Sequence, residues 1–158
     1  MKLATMPNDT LTERGVSASD VALVLGGSVR SVKDENTLDG LVRSGLPASV
    51  LTALRKVGFT IDELREATSL SASTINRLCS GDKGPGTLSL SASDRAVRLA
   101  RTYILATRLI GSNRAALSWM RTGHRYLNER TPLESISTDF GLARVNESLY
   151  AIAYGGPG

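Results

Sequence analysis

One cysteine, one histidine and one tryptophan occur among the 158 residues, and aromatic side chains make up only 4% of the chain. The lone Cys79 excludes an internal disulfide framework and fits a reducing cytoplasm. Cys79 and His124 are too few to build a metal cluster at ordinary ligand spacing, so no metal is expected. Apolar runs all fall short of the roughly 20 residues that cross a bilayer, which sets membranes aside as a partner. The opening MKLATMPNDTLTERG has too short an apolar stretch for a signal peptide. Neither a GxxxxGK(S/T) phosphate loop nor a dinucleotide fingerprint occurs, and the loop DKGPGT, residues 82–87, fits neither pattern. The chain therefore reads as no enzyme, with no cofactor of its own.

Apolar residues amount to 41%, enough for a core built mostly of Leu, Val, Ile and Ala, as in a small helical protein. The net charge of +4 is unevenly spread. Residues 1–40 carry four basic and six acidic side chains, and residues 41–158 carry fifteen basic and nine acidic. Thirteen of those fifteen are arginines, whose forked guanidinium suits phosphate and the guanine edge. A positive field of this kind speeds encounter with polyanions, although mild basicity alone is weak evidence of one.

No alternating run is long enough for a strand, and the fold class expected is all-α. Ser19 to Leu25 predicts a turn or two of helix, and 26–39 a loop with a short helix from Ser31. Pro47 suits a first helical position, after which Val50, Leu51, Leu54 and Val57 share a face until Gly58. Ser91 and Asp94 have capping-box spacing before a long helix to about Ile110. On that helix Arg95, Arg98, Arg101 and Arg108, at spacings of three, three and seven, form a basic stripe. It either follows DNA phosphates or is a salt-bridged structural face in which Asp94 or Glu134 pairs with Arg98 and Arg101; the second use is favoured. Ser112 or Asn113 caps a next helix holding Trp119, which with Tyr103 is read as core. Thr131, Pro132 and Glu134 start a short helix reaching about Thr138. Gly141 is expected to break it, and Leu142 to Ala153 to form the last helix with Val145, Leu149 and Ile152 inward.

The most informative stretch is 60–80, TIDELREATSLSASTINRLCS. Thr60 and Glu63 form a capping box, Ile61, Leu64 and Ala67 supply a buried face, and a short turn leads to Ser71, a good N-cap. Ile75 and Leu78 can then anchor a second helix whose Ser73, Thr74, Asn76 and Arg77 lie on or near its outer surface. That is the geometry of a helix-turn-helix, whose second helix enters the major groove. Ser71 as a cap leaves helix N–H groups for phosphate; Ser73, Thr74 and Asn76 suit base-edge or backbone contacts, and Arg77 suits phosphate or guanine. The competing reading is the solvated face of a short helix.

The order of motifs resembles the Xre/MbcA/ParS antitoxins, the partners of RES-domain toxins. The resemblance runs from about Leu46 to Gly155, through LSASTINRL, then SDRAVRLAR at 93–101, then SWMRTGHRYLNERTPLESISTDFGLARV. It implies a helix-turn-helix domain at 46–90 and a helical toxin-binding region at 91–158; the chain departs from it at 1–45, expected as an arm that is partly disordered or dimerising, since some relatives lack an arm of this length. It further implies a homodimer within a larger toxin–antitoxin complex, repression at an operator that two-fold symmetry would make palindromic, and a toxin that breaks down NAD⁺ or transfers ADP-ribose. Tyr150, Tyr154, Gly155 and Gly156 are then the candidates for contact at the toxin's active-site entrance. For Tyr150 the alternative is packing on its own domain. A stand-alone helix-turn-helix regulator whose C-terminal helices only dimerise is the rival reading.

Overall fold

A computed structural model describes residues 15–81 and 86–156, with the Ser28 side chain left aside. The expectations for residues 1–14, for 82–85 of the DKGPGT loop and for 157–158 of the tail lie outside the described residues. The described chain is all-α. Helix α1 spans Ala18–Leu25, and a 3₁₀ turn, Gly27–Ser31, leads to α2, Glu35–Ser44. Then come α3, Ser49–Val57; α4, Ile61–Thr68; α5, Ala72–Ser80; and the long α6, Leu90–Ile110. Helix α7, Asn113–Arg121, a 3₁₀ turn at Arg125–Leu127, α8, Pro132–Ser135, and α9, Asp139–Tyr154, complete it. Extended pairing among the described residues amounts to two isolated bridges, Pro47 with Thr87 and His124 with Arg130. No described helix is long and apolar enough to cross a membrane.

Local chemistry explains most of the helix starts. Thr60 with Glu63 and Thr131 with Glu134 form both halves of a capping box, and Ser71 and Ser112 accept from the N–H groups of Thr74 and Ala115. Ser17 and Asp20 form a third box at α1. Several expected boundaries move. Pro47 lies before α3 rather than in its first turn, because the adjoining backbone is used elsewhere: Ala48 N–H donates to the Gly86 carbonyl and Leu88 N–H to that of Leu46, both at 2.8 Å. Ser91 is inside α6, whose cap is Ser89. Asp34 caps a ten-residue helix, α2, where a loop to Asp39 with a short helix from Ser31 was expected.

The largest correction is at the C-terminal end. Gly141 does not break a helix; it is in the first turn of α9, and its N–H donates to Thr138 Oγ1, the cap. A methyl group on Gly141 would sit 1.8 Å from the Ser135 carbonyl oxygen, so the glycine exists for the close crossing of α9 over the end of α8. Ile152, expected inward, is 39% exposed, while Val145 and Leu149 are fully buried. Leu142 is half-buried against the same core.

One apolar core runs through the whole described chain. Helices α1, α2, α3, α4, α7 and α9 all pack on α6. Val21, Ala22 and Leu25 from α1 and Leu38 from α2 enter the same core as Leu51, Leu64 and Ile75. The residues before Gly45 that were grouped with an arm thus include two core helices. Tyr103 is buried edge-on to Phe59, and Trp119 is half-buried with its ring 4.9 Å from that of His124.

The arginine stripe of α6 is largely consumed in holding this assembly. Arg98 donates to the Ile136 carbonyl and pairs with Asp139 at 2.9 Å and Asp94 at 3.5 Å. Arg101 donates to the Val16 carbonyl and to Glu35, and Arg108 donates to the Gly15 carbonyl and pairs with Asp20. Glu134, the other partner considered for Arg98 and Arg101, instead caps α8. Between α7 and α4, Arg121 reaches the Glu63 carboxylate at 2.5 Å and the Gly58 carbonyl at 2.7 Å.

Glu63 therefore carries two duties: it accepts from the Thr60 N–H that starts α4 and from Arg121. Burial raises its pKa, but the hydrogen bonds from Arg121 and Thr60 outweigh that and hold the carboxyl below its ordinary value. Its contribution is complete above the unfolded carboxyl pKa of about 4.3 and is lost as the pH falls through the lower folded value. Glu63→Gln should lower stability by about 1–2 kcal/mol near neutral pH, and the gap between wild type and variant should narrow in thermal melts as the pH is lowered into the acid range. Gly141→Ala should cost about 1–3 kcal/mol by overpacking the α8–α9 crossing, read as a lowered denaturation midpoint with an unchanged slope.

Candidate nucleic-acid and partner interfaces

Helices α4 and α5 form the helix-turn-helix pair. Ser69 ends α4 in the left-handed region at φ 60° and turns the chain; Leu70 and Ser71 then lead into α5. Ile75, fully buried, pins α5 to the core, helped by half-buried Leu78. Ser73, Asn76 and Arg77 are exposed, and their spacing of three and one places them on a single outer face. Thr74 is half-buried beside them. Its N–H donates to Ser71 Oγ, and the Ser71 hydroxyl donates to Thr74 Oγ1 at 2.8 Å with Ser73 Oγ 3.2 Å away.

The five candidates for DNA contact therefore come together, but in two roles. Ser71 and Thr74 are occupied with each other at the start of the helix and set its geometry. Ser73, Asn76 and Arg77 project from it. The Arg77 guanidinium has no carboxylate partner among the described residues, in contrast with Arg65, which pairs with Asp62 on α4 at 3.0 Å. Cations on the rest of the face are thus partly neutralised locally, and Arg77 is the cation that this face offers to a phosphate or a base edge.

The candidates for partner contact lie at the end of α9 and are divided. Tyr150 is half-buried and packs on the core, lining a groove of about 340 Å³ with Val97, Leu105 and Leu142. Tyr154, one turn later, is 69% exposed. Gly155 closes the helix in the left-handed region at φ 70°, and the Gly156 N–H donates to the Ala151 carbonyl at 2.7 Å. The chain end thus leaves the helix in an ordered turn as far as Gly156, with Tyr154 and both glycines exposed.

Two exposed aromatics escaped the sequence reading. Phe140 is 87% exposed in the first turn of α9, and Tyr126 in the second 3₁₀ turn is 39% exposed. A helical wheel drawn from Asp139 places Phe140 away from Val145 and Leu149; starting the helix at Leu142 removed it from view.

No curated protein matches the chain. A family model described as the antitoxin Xre-like helix-turn-helix domain matches residues 37–101, which include α3, α4 and α5 and most of α2. A second, described as the antitoxin Xre/MbcA/ParS C-terminal toxin-binding domain, matches residues 105–155, from the last part of α6 to the end of α9. With the exposed second helix of the helix-turn-helix in one match and the open chain end in the other, the chain belongs to the Xre/MbcA/ParS antitoxins, type II antitoxins that join a helix-turn-helix DNA-binding domain to a toxin-binding one.

Proposed function

We propose that this antitoxin neutralises a RES-domain toxin by covering its active-site entrance, and that antitoxin or complex represses the operon that encodes the pair. The observation that carries this reading is that the two family matches share one continuous helix, α6, while the outer face of α5 lies exposed in one match and the end of α9 in the other. Occlusion asks no chemistry of the chain and no cofactor. It asks for an interface above roughly 1,000 Å² that outlasts the toxin's encounters with its substrate. Tyr154, Gly155 and Gly156 are the parts of the chain end free to enter a cleft, with Tyr150 behind them as support. The toxin-binding match favours this reading over a stand-alone regulator whose C-terminal helices only dimerise.

On DNA, α5 lies in the major groove, its N-terminus at Ser71 close to phosphate and Ser73, Thr74, Asn76 and Arg77 toward base edges and backbone. A homodimer with two-fold symmetry sets two such helices about 34 Å apart and reads a palindromic operator. Both activities belong in the cytoplasm, where NAD⁺ and the operon are found together.

NAD⁺ consumption by the RES-domain protein encoded beside this chain is the direct test. Rapid loss by that protein alone and none in the mixture is expected; undiminished loss in the mixture overturns neutralisation. Asn76→Ala combined with Arg77→Ala should weaken operator binding by about ten- to a hundred-fold and leave toxin inhibition unchanged, measured by fluorescence anisotropy beside the NAD⁺ assay. Ending the chain after Tyr150 should do the reverse. Wild-type inhibition by that truncated chain overturns the occluding end.

A further inference from the structure

Helix α9 presents a second feature besides its end. Phe140, Arg144, Glu147, Ala151 and Tyr154 follow one another at spacings of four, three, four and three, which at 3.6 residues per turn keeps them within about 40° of one line. The line runs opposite Leu142, Val145 and Leu149, the side that α9 turns to the core. Phe140 and Tyr154 stand at its two ends, 87% and 69% exposed, about 21 Å apart along the helix.

The middle of the line is polar, and its groups are joined through Tyr126. The Tyr126 hydroxyl donates to Glu147 at 2.7 Å, Arg144 donates to the Tyr126 carbonyl, and the Arg144 guanidinium lies 4.9 Å from the centre of the Tyr126 ring. Arg144 and Glu147, both exposed, are thus each held by Tyr126, one positive and one negative charge on the same line. Their opposite charges leave the strip without net charge, and a partner meets them with hydrogen-bonding groups of its own. An aromatic exposed at each end of a polar strip of no net charge is the composition of a binding surface.

We infer that the outer line of α9, from Phe140 through the Tyr126–Arg144–Glu147 cluster to Tyr154, is the main surface on which the toxin docks, with Phe140 as an anchor remote from the occluding end. This rests on the antitoxin reading and specifies its interface. Two observations select the toxin as occupant. Every residue of the line lies within the toxin-binding match, 105–155. Phe140, Tyr126 and Tyr154, three of the six large hydrophobics exposed among the described residues, also lie on or beside the line. The line is continuous through Tyr154 with the segment proposed to enter the toxin's cleft. The partner face is one with two apolar recesses about 20 Å apart, separated by a strip that need not carry a strong charge.

The test uses the full-length chain and the RES-domain toxin encoded beside it, with affinity measured by calorimetry and oligomeric state by sedimentation. Phe140→Ser should weaken toxin binding at least about ten-fold without lowering the melting temperature. Tyr154→Ser should weaken it similarly, and Leu23→Ser, at a residue 62% exposed outside the toxin-binding match, should leave it unchanged. Wild-type affinity in Phe140→Ser, with the truncation after Tyr150 still impaired, overturns the docking line and leaves the antitoxin reading standing. Unchanged toxin affinity with a smaller assembly in sedimentation assigns the line to a second copy of this chain and also overturns it. A wild-type chain that does not bind the toxin removes both readings together.

Discussion

Burial of α6 on almost every side is the constraint on which the rest of the structure depends. Its 21 residues extend about 32 Å, and Ala92, Ala96, Ala100 and Ala106 are all essentially buried. The first three, at spacings of four, form a low ridge that lets neighbouring helices approach closely, and Ala106 lowers the surface farther along. The larger Leu99, Ile104 and Leu105 fill the space between them. Since the helix-turn-helix and the toxin-binding helices both pack on this rod, neither has a core of its own that is separate from the other.

The polar contacts follow from that arrangement. A helix crowded on all sides leaves its long basic side chains room only at the margins, where they lie across to neighbouring elements. Arg98 secures the α8–α9 connection, Arg101 the segment before α1 and the start of α2, and Arg108 the start of α1. Each gives one donor to a backbone carbonyl and another to a carboxylate, a fixed fork that a lysine could not reproduce. The basic excess after residue 40 is therefore in part an internal fastening, and the positive field at the recognition helix is smaller than the net charge of that region suggests.

The same rod relates the two binding surfaces. Arg121, in the toxin-binding match, clasps Glu63 and the Gly58 carbonyl at the start of α4, in the helix-turn-helix match. Glu63 is the residue whose carboxylate also starts α4. The helix that positions the recognition helix thus has its first turn held in part by a residue of the toxin-binding domain, a rigid mechanical connection rather than a flexible linker between modules.

Features decided within a turn or two of chain were legible in the sequence. The capping boxes at Thr60 and Thr131, the caps at Ser71 and Ser112, the buried faces of α3 and α4 and the outer position of Ser73, Asn76 and Arg77 follow from side-chain hydrogen bonds and helical period alone. Helix α2 was hidden because a single fully buried residue, Leu38, makes its apolar signal slight. Other features needed the folded chain. Gly141 looks like a helix breaker until the Ser135 carbonyl is brought against it. Pro47 looks like a helix start until the Gly86–Leu88 segment takes up its neighbours' hydrogen bonds. The partners of Arg98 and Arg101 lie from 38 to 85 residues away, with Asp94 the local exception. Which side of α9 is left to solvent depends on where α6 covers it. Sequence by itself determined most of the helices, the caps at Thr60, Ser71, Ser112 and Thr131 and the outer face of α5, because those arise from neighbours in the chain. Tertiary structure decided which charges are spent inside and which aromatics remain outside, because burial depends on what the rest of the chain brings alongside.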